Sequence, residues 1–127
     1  MAQYIYVIDN EEALKESLDK MFKDENEYKF KKVDSKRIDV ALKNIPSLII
    51  INDDTLDEDI IEVCKRIRSN EDNSITPIIV ISSNKEKSHR IEILKECVEH
   101  YIKAPIDEEY LYYTVTVSYT HLRAHET

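Results

Sequence analysis

Three short apolar runs each end in polar residues that could do chemistry. Tyr4–Ile8 runs into Asp9 and Asn10, Leu48 to Ile51 into Asn52, Asp53 and Asp54, and residues 77–81 into Ser82 and Ser83. A fourth run, residues 100–102, is followed by Lys103, Ala104 and Pro105. A lone carboxylate such as Asp9 is a candidate cation ligand, because hard divalent ions seek anionic oxygens. Asn10 and Asn52 offer only neutral amides, which are neither nucleophiles nor strong magnesium ligands. Asp9 also reads as a helix cap or a hydrogen-bond partner for Asn52, and Asn52 as a turn amide.

Other chemistries find little footing. The acids Asp53, Asp54, Asp57, Glu58 and Asp59 lack the glycine and the twelfth-position glutamate of a calcium loop, and read as a solvated loop and helix start. His89, His100, His121 and His125 show no metal spacing that includes a strand-end carboxylate and read as surface residues. Cys64 and Cys97 form no CxxC and are expected to be buried reduced thiols. No Ser/His/Asp set, Gly-rich phosphate loop or paired glycosidase-type carboxylates can be argued, so no catalytic residue is assigned.

The elements that must carry these residues follow from hydrophobic periodicity. The β-branched runs at 4–8, 48–51, 77–81 and 100–102 read as buried strands. Residues 28–33 alternate Tyr28 and Phe30 with Lys29 and Lys31, the pattern of a half-exposed edge strand. Between them lie helical patterns: 11–23 with Leu14, Leu18, Met21 and Phe22; a segment capped by Ser35 with Ile38, Ala41 and Leu42; 57–68 with Ile60, Val63, Cys64 and Ile67; 85–98 with Ile91, Leu94 and Val98; and a last helix opening at Asp107.

Five strand-then-helix repeats predict an α/β fold of the flavodoxin-like, doubly wound kind, with a five-stranded parallel sheet in the order 2-1-3-4-5. Its core is expected to hold Ile5, Val7, Ile49, Ile51, Ile79, Ile81, Leu94 and Ile102. In such sheets the functional crevice lies beyond the carboxyl ends of the strands, where Asp9, Asn10, Asn52, Ser82 and Ala104 fall.

With 127 residues, 42 % hydrophobic and 35 % charged, the chain suits one globular domain. The net charge of −8 argues against direct binding of nucleic acid or an anionic membrane surface. No apolar run reaches bilayer length, and no secretory signal opens the chain, so a cytoplasmic location is expected. Glycine is absent, which leaves the tight turns to Asn, Asp and Ser.

Over residues 3–113 the chain resembles the receiver domains of bacterial response regulators. The likeness is carried by YVIDNE at 6–11, PSLIIIN at 46–52, EVCKRIR at 62–68, TPIIVISS at 76–83 and YIKAP at 101–105. The resemblance implies transfer of a phosphoryl group to an aspartate beside a magnesium ion held by acids. At the matching positions, however, the acidic pair is Asp9 and Asn10, the phosphoacceptor is Asn52, and the lysine is Ala104. The hydroxyl position keeps Ser82 and the switch aromatic keeps Tyr101. Lys103 sits one position early, on the opposite face of its strand.

The expectation is therefore a degenerate receiver, or pseudo-receiver, that needs neither phosphorylation nor magnesium. It would act as a protein–protein interaction or dimerisation module through residues 85–113, the fourth helix, fifth strand and fifth helix. The aromatic-rich Tyr110, Leu111, Tyr112 and Tyr113 are the expected contact for a homodimer. Two alternatives stand beside it: a phosphoaccepting receiver using Asp53 with magnesium, and an effector domain for a small ligand in the vacated crevice. Residues 1–116 are assigned to the receiver-like domain. Residues 117–127, VSYTHLRAHET, resemble adaptor-derived read-through and are read as a non-native tail that does not continue the apolar pattern of the last helix.

Overall fold

The computed structural model describes residues 4–96 and 98–126, with side chains through residue 119. Cys97 and the side chains of His121 and His125 lie outside the described residues. Five strands form one parallel sheet: β1 (Tyr4–Ile8), β2 (Lys29–Val33), β3 (Leu48–Asn52), β4 (Ile78–Ser82) and β5 (His100–Lys103). Their order is β2-β1-β3-β4-β5, the expected one, with every pairing parallel. β2 is an edge strand, in keeping with its alternating lysines.

Helices cover both faces. α1 (Ala13–Met21) and α5 (Glu108–Glu126) lie on one; α2 (Ile38–Ala41), α3 (Ile60–Ser69) and α4 (Lys87–Lys95) lie on the other. Because side chains alternate along a strand, the sheet feeds two separate apolar clusters. Ile5, Val7, Ile50, Ile79, Ile81 and Ile102 pack with Leu14, Leu18, Leu111 and Val115. Tyr6, Ile8, Ile49, Ile51, Ile78 and Val80 pack with Ile38, Val63, Cys64, Ile67 and Ile93. Each fully buried aliphatic side chain is worth about 1.5–3 kcal/mol of transfer free energy. Continuous isoleucine-rich runs are what a sheet buried on both faces requires.

Local caps define the helix starts. Asp59 accepts a hydrogen bond from the Ile61 N–H and opens α3, which continues into four buried residues at helical spacing. Ser35 was expected to cap a helix. It instead begins a 3₁₀ turn, Ser35–Arg37, and is buried with its backbone N–H turned to Asn10.

Two expectations about packing are corrected. Leu94 is 42 % exposed and Ile91 40 % exposed, so neither belongs to the core. α4 ends at Lys95 and turns its His89–Ile93 face inward; these two residues stand one turn apart. Ile93 is buried and His89 half-buried, while Val98 reaches the core from the segment after the helix. Of the apolar stripe read through 91, 94 and 98, only Val98 is buried, and Ile91 and Leu94 face outward.

In α5, Leu111 is fully buried and Tyr112 stacks on Phe22 with ring centroids 4.8 Å apart. Of the four expected contact residues, only Tyr110 and Tyr113 are exposed. The helix also runs without a break past residue 116, and Tyr119 is buried against Tyr28 at 4.8 Å. The apolar pattern of α5 thus continues to Tyr119, contrary to the sequence reading.

Candidate functional site

The carboxyl ends of β1, β3 and β4 converge, and their terminal residues meet as the topology requires. Asp9 follows β1 and is completely buried. Its Oδ1 accepts from the Thr55 hydroxyl at 2.5 Å and from the Glu11 N–H at 2.9 Å. Its Oδ2 accepts from the Asn52 side-chain amide at 3.3 Å. A buried carboxylate without partners would be costly, and these three donors are what make it tolerable. The Lys32 ammonium donates to the Asp9 backbone carbonyl at 3.2 Å and pairs with Asp34. That partnership with Asp34 raises the Lys32 pKa and lowers that of Asp34.

Asn10 is drawn away from the carboxylates. Its side-chain N–H groups donate to the Thr55 carbonyl at 2.9 Å and the Ser35 hydroxyl at 3.2 Å, and its carbonyl accepts from the Ser35 N–H at 3.0 Å. Its own backbone N–H donates to the Thr55 hydroxyl at 3.1 Å. Asn52 turns its carbonyl to the Asp54 N–H at 3.2 Å, an Asx turn that closes β3. Thr55 is thus a hub linking Asp9, Asn10 and the β3 turn. Its side-chain role is invisible in the sequence, where it reads as one more polar loop residue.

Asp53 points elsewhere. Its Oδ2 accepts from the buried Ser82 hydroxyl at 2.8 Å and lies 2.9 Å from His89 Nε2. Asp54 accepts from the Ser83 N–H and hydroxyl at 3.0 and 2.9 Å. Ser82 also accepts from the Asn84 N–H at 3.1 Å, so it is both a turn residue and an Asp53 donor. His89, expected at the surface, is instead an internal tether between α4 and β3. Tyr101 is half-buried and donates from its hydroxyl to the Asn84 carbonyl at 3.3 Å.

Ala104 packs its methyl group against the α1–α5 cluster, with its N–H donating to the Ser82 carbonyl at 2.9 Å; the Ala104–Pro105 peptide is cis. No ammonium projects into the crevice from that position. Lys103 is exposed on the other face of β5, the face it shares with Tyr101.

The crevice does not fit a magnesium ion as it stands. Both Asp9 oxygens face hydrogen-bond donors, and the Asn10 and Asn52 carbonyls are each taken by a backbone N–H. A hard octahedral cation needs lone pairs directed at one point, preferably anionic ones. Among the described residues no three His, Cys, Asp or Glu side chains group in a metal-holding arrangement.

No protein-family model and no curated protein matches the chain. Solved structures do. A signal receiver domain of a two-component histidine kinase from Clostridium thermocellum superposes with a TM-score of 0.81 at 25 % identity, covering 94 % of this chain and 98 % of that one. The chain has the response regulator receiver fold. The chemotaxis response regulator CheY4 of Vibrio cholerae matches with a TM-score of 0.79 at 16 % identity over 93 % of this chain and 99 % of that one. The receiver domain of a sensor histidine kinase from Pseudomonas aeruginosa, solved with magnesium coordinated in its active-site cleft, matches with a TM-score of 0.77 at 16 % identity over 94 % and 99 %. In this chain the corresponding strand ends carry Asp9, Asn10 and Asn52. Among the described residues, no helix is long and apolar enough to cross a membrane.

Proposed function

We propose that this receiver is phosphorylation-independent and serves as a cytoplasmic protein–protein interaction module in two-component signalling, with no enzymatic activity and no magnesium. The observation that carries this reading is Asn52. It ends β3 as a neutral amide, donating to Asp9 and accepting from the Asp54 N–H, in the place where an aspartyl nucleophile would be required. The methyl group of Ala104 supports the same conclusion, since a transferred phosphoryl group would find no cation there.

The interaction surface we favour is formed by α4, β5 and α5. Ile91 and Leu94 on α4 and Tyr110 and Tyr113 on α5 are large, apolar and exposed, the composition of contact residues. Self-association through this surface is one form of the activity.

The test is incubation with acetyl phosphate and magnesium, read by intact mass. No added phosphate is expected. One observation favours a second reading, phosphorylation of Asp53: its carboxylate already meets the Ser82 hydroxyl at 2.8 Å. The same oxygen is held by His89, however. A phosphate adduct mapped to Asp53 would establish that reading and overturn the first.

A further inference from the structure

The loop between β4 and α4, the first turns of α4 and the end of β5 line a partly open cavity of about 110 Å³. Its lining includes Lys85, Lys87, Arg90 and Lys103, with Tyr101 and one acid, Glu86. Four cations against one carboxylate make this patch locally positive on a chain whose net charge is −8. Five basic side chains elsewhere are held by acids: Lys15 by Asp19, Lys32 by Asp34, Lys65 by Glu96, Arg66 by Glu58, Arg68 by Glu99. Among the described residues none of the four cavity cations is in an ion pair.

Crowded like charges repel, and the arrangement is relieved by an anion that several of them share. No side chain caps the start of α4, whose dipole adds to the positive field at the same place. Lys103 joins the group because strand alternation sends it to this face of β5, away from the crevice where Ala104 stands.

We propose that this cavity binds the phosphate group of a small molecule, reversibly and without covalent chemistry. The volume holds several water molecules, and so a single tetrahedral oxyanion. A phosphate dianion can engage several cations at once, with Arg90 offering the fork geometry suited to it. A nucleic acid would have to lie across the acidic surroundings, whereas a compact anion meets only the local field. The site is separate from the Asp9–Asn52 crevice and does not depend on how that crevice works.

The experiment is an amide-resolved NMR titration of the full chain with inorganic phosphate at constant ionic strength, with EDTA present. Saturable shifts confined to residues 84–90 and 101–103 are expected, with chloride giving none. Arg90→Gln should weaken binding about tenfold, as loss of one charge-assisted contact does. Lys15→Gln, remote and paired with Asp19, should leave affinity unchanged. Shifts that never saturate, or that survive Arg90→Gln and Lys87→Gln together, overturn the proposal. Intact mass on the same samples keeps the two readings apart. A phosphate adduct formed with acetyl phosphate would refute the phosphorylation-independent function and leave the reversible site standing.

Discussion

His89 Nε2 lies 2.9 Å from Asp53 Oδ2, so one carboxylate oxygen ties the first turn of α4 to the end of β3. The same oxygen holds the Ser82 hydroxyl of β4. Ile93 is the buried side chain of α4, so this helix has a thin apolar anchor and leans on the polar one. His89→Ala should raise hydrogen exchange across α4 while changing global stability by about 1 kcal/mol or less. Exchange measured residue by residue checks this. Unaltered protection in α4 would show that the tether is dispensable.

Asn52→Asp places a second carboxylate against Asp9 Oδ2, where an amide N–H now sits at 3.3 Å. The donor is lost and a like charge gained at a buried partner. The variant should lose about 1 kcal/mol or more without metal. Millimolar magnesium should restore part of that loss in the variant and leave the wild type unmoved. Thermal melts with and without magnesium decide it. Equal magnesium stabilisation of both proteins would contradict the crevice described above.

Thr55→Val removes the hydroxyl that donates to Asp9 and accepts from the Asn10 N–H, while preserving shape. Leaving buried polar groups unpaired costs about 1–3 kcal/mol. Denaturant unfolding should register a loss in that range, and a neutral result would remove Thr55 from its place as hub.

The buried Cys64 thiol is pushed up to about 12 from 9.0, chiefly by burial. Below pH 9 it is protonated in both folded and unfolded chains and adds nothing to the pH dependence. Between pH 9 and 12 the unfolded chain releases the proton and the folded chain keeps it, so stability falls as pH rises through that window. Denaturant midpoints of wild type and Cys64→Ala should therefore converge as pH rises from 9 toward 12. Labelling of Cys64 by a thiol reagent, located by peptide mass, should track global unfolding.

Tyr119→Ala should cost about 2 kcal/mol or more, since Tyr119 is buried and its ring meets Tyr28. Removing residues 117–127 should cost at least as much. A truncated chain as stable as the whole would place the end of the folded unit at residue 116.

The sheet was legible because each strand is an apolar run closed by a polar residue. That punctuation also located the crevice: Asp9 and Asn52 were expected near one another and share a hydrogen bond. What escaped were side-chain directions within loops and helices. Thr55 and Asp53 sit in an acid-rich loop where neighbouring residues look interchangeable, yet a 3₁₀ turn at Asp53–Thr55 aims them at different strands. α4 misled because its inward stripe begins with a histidine, so periodicity chose Leu94 and missed His89. Tyr119 was hidden by the same habit: tyrosine, serine and threonine look polar in a window, although the Tyr119 ring packs as an apolar one.

The two apolar clusters differ in when a growing chain can complete them. The one beneath α2, α3 and α4 draws on residues from Tyr6 to Val98. The one beneath α1 and α5 waits for Leu111, Val115 and Tyr119. During synthesis the face bearing Val7, Ile79 and Ile81 therefore stays only partly covered, by α1, until the last helix has left the ribosome. That makes the nascent chain lopsided, with one half closed and the other adhesive until α5 packs.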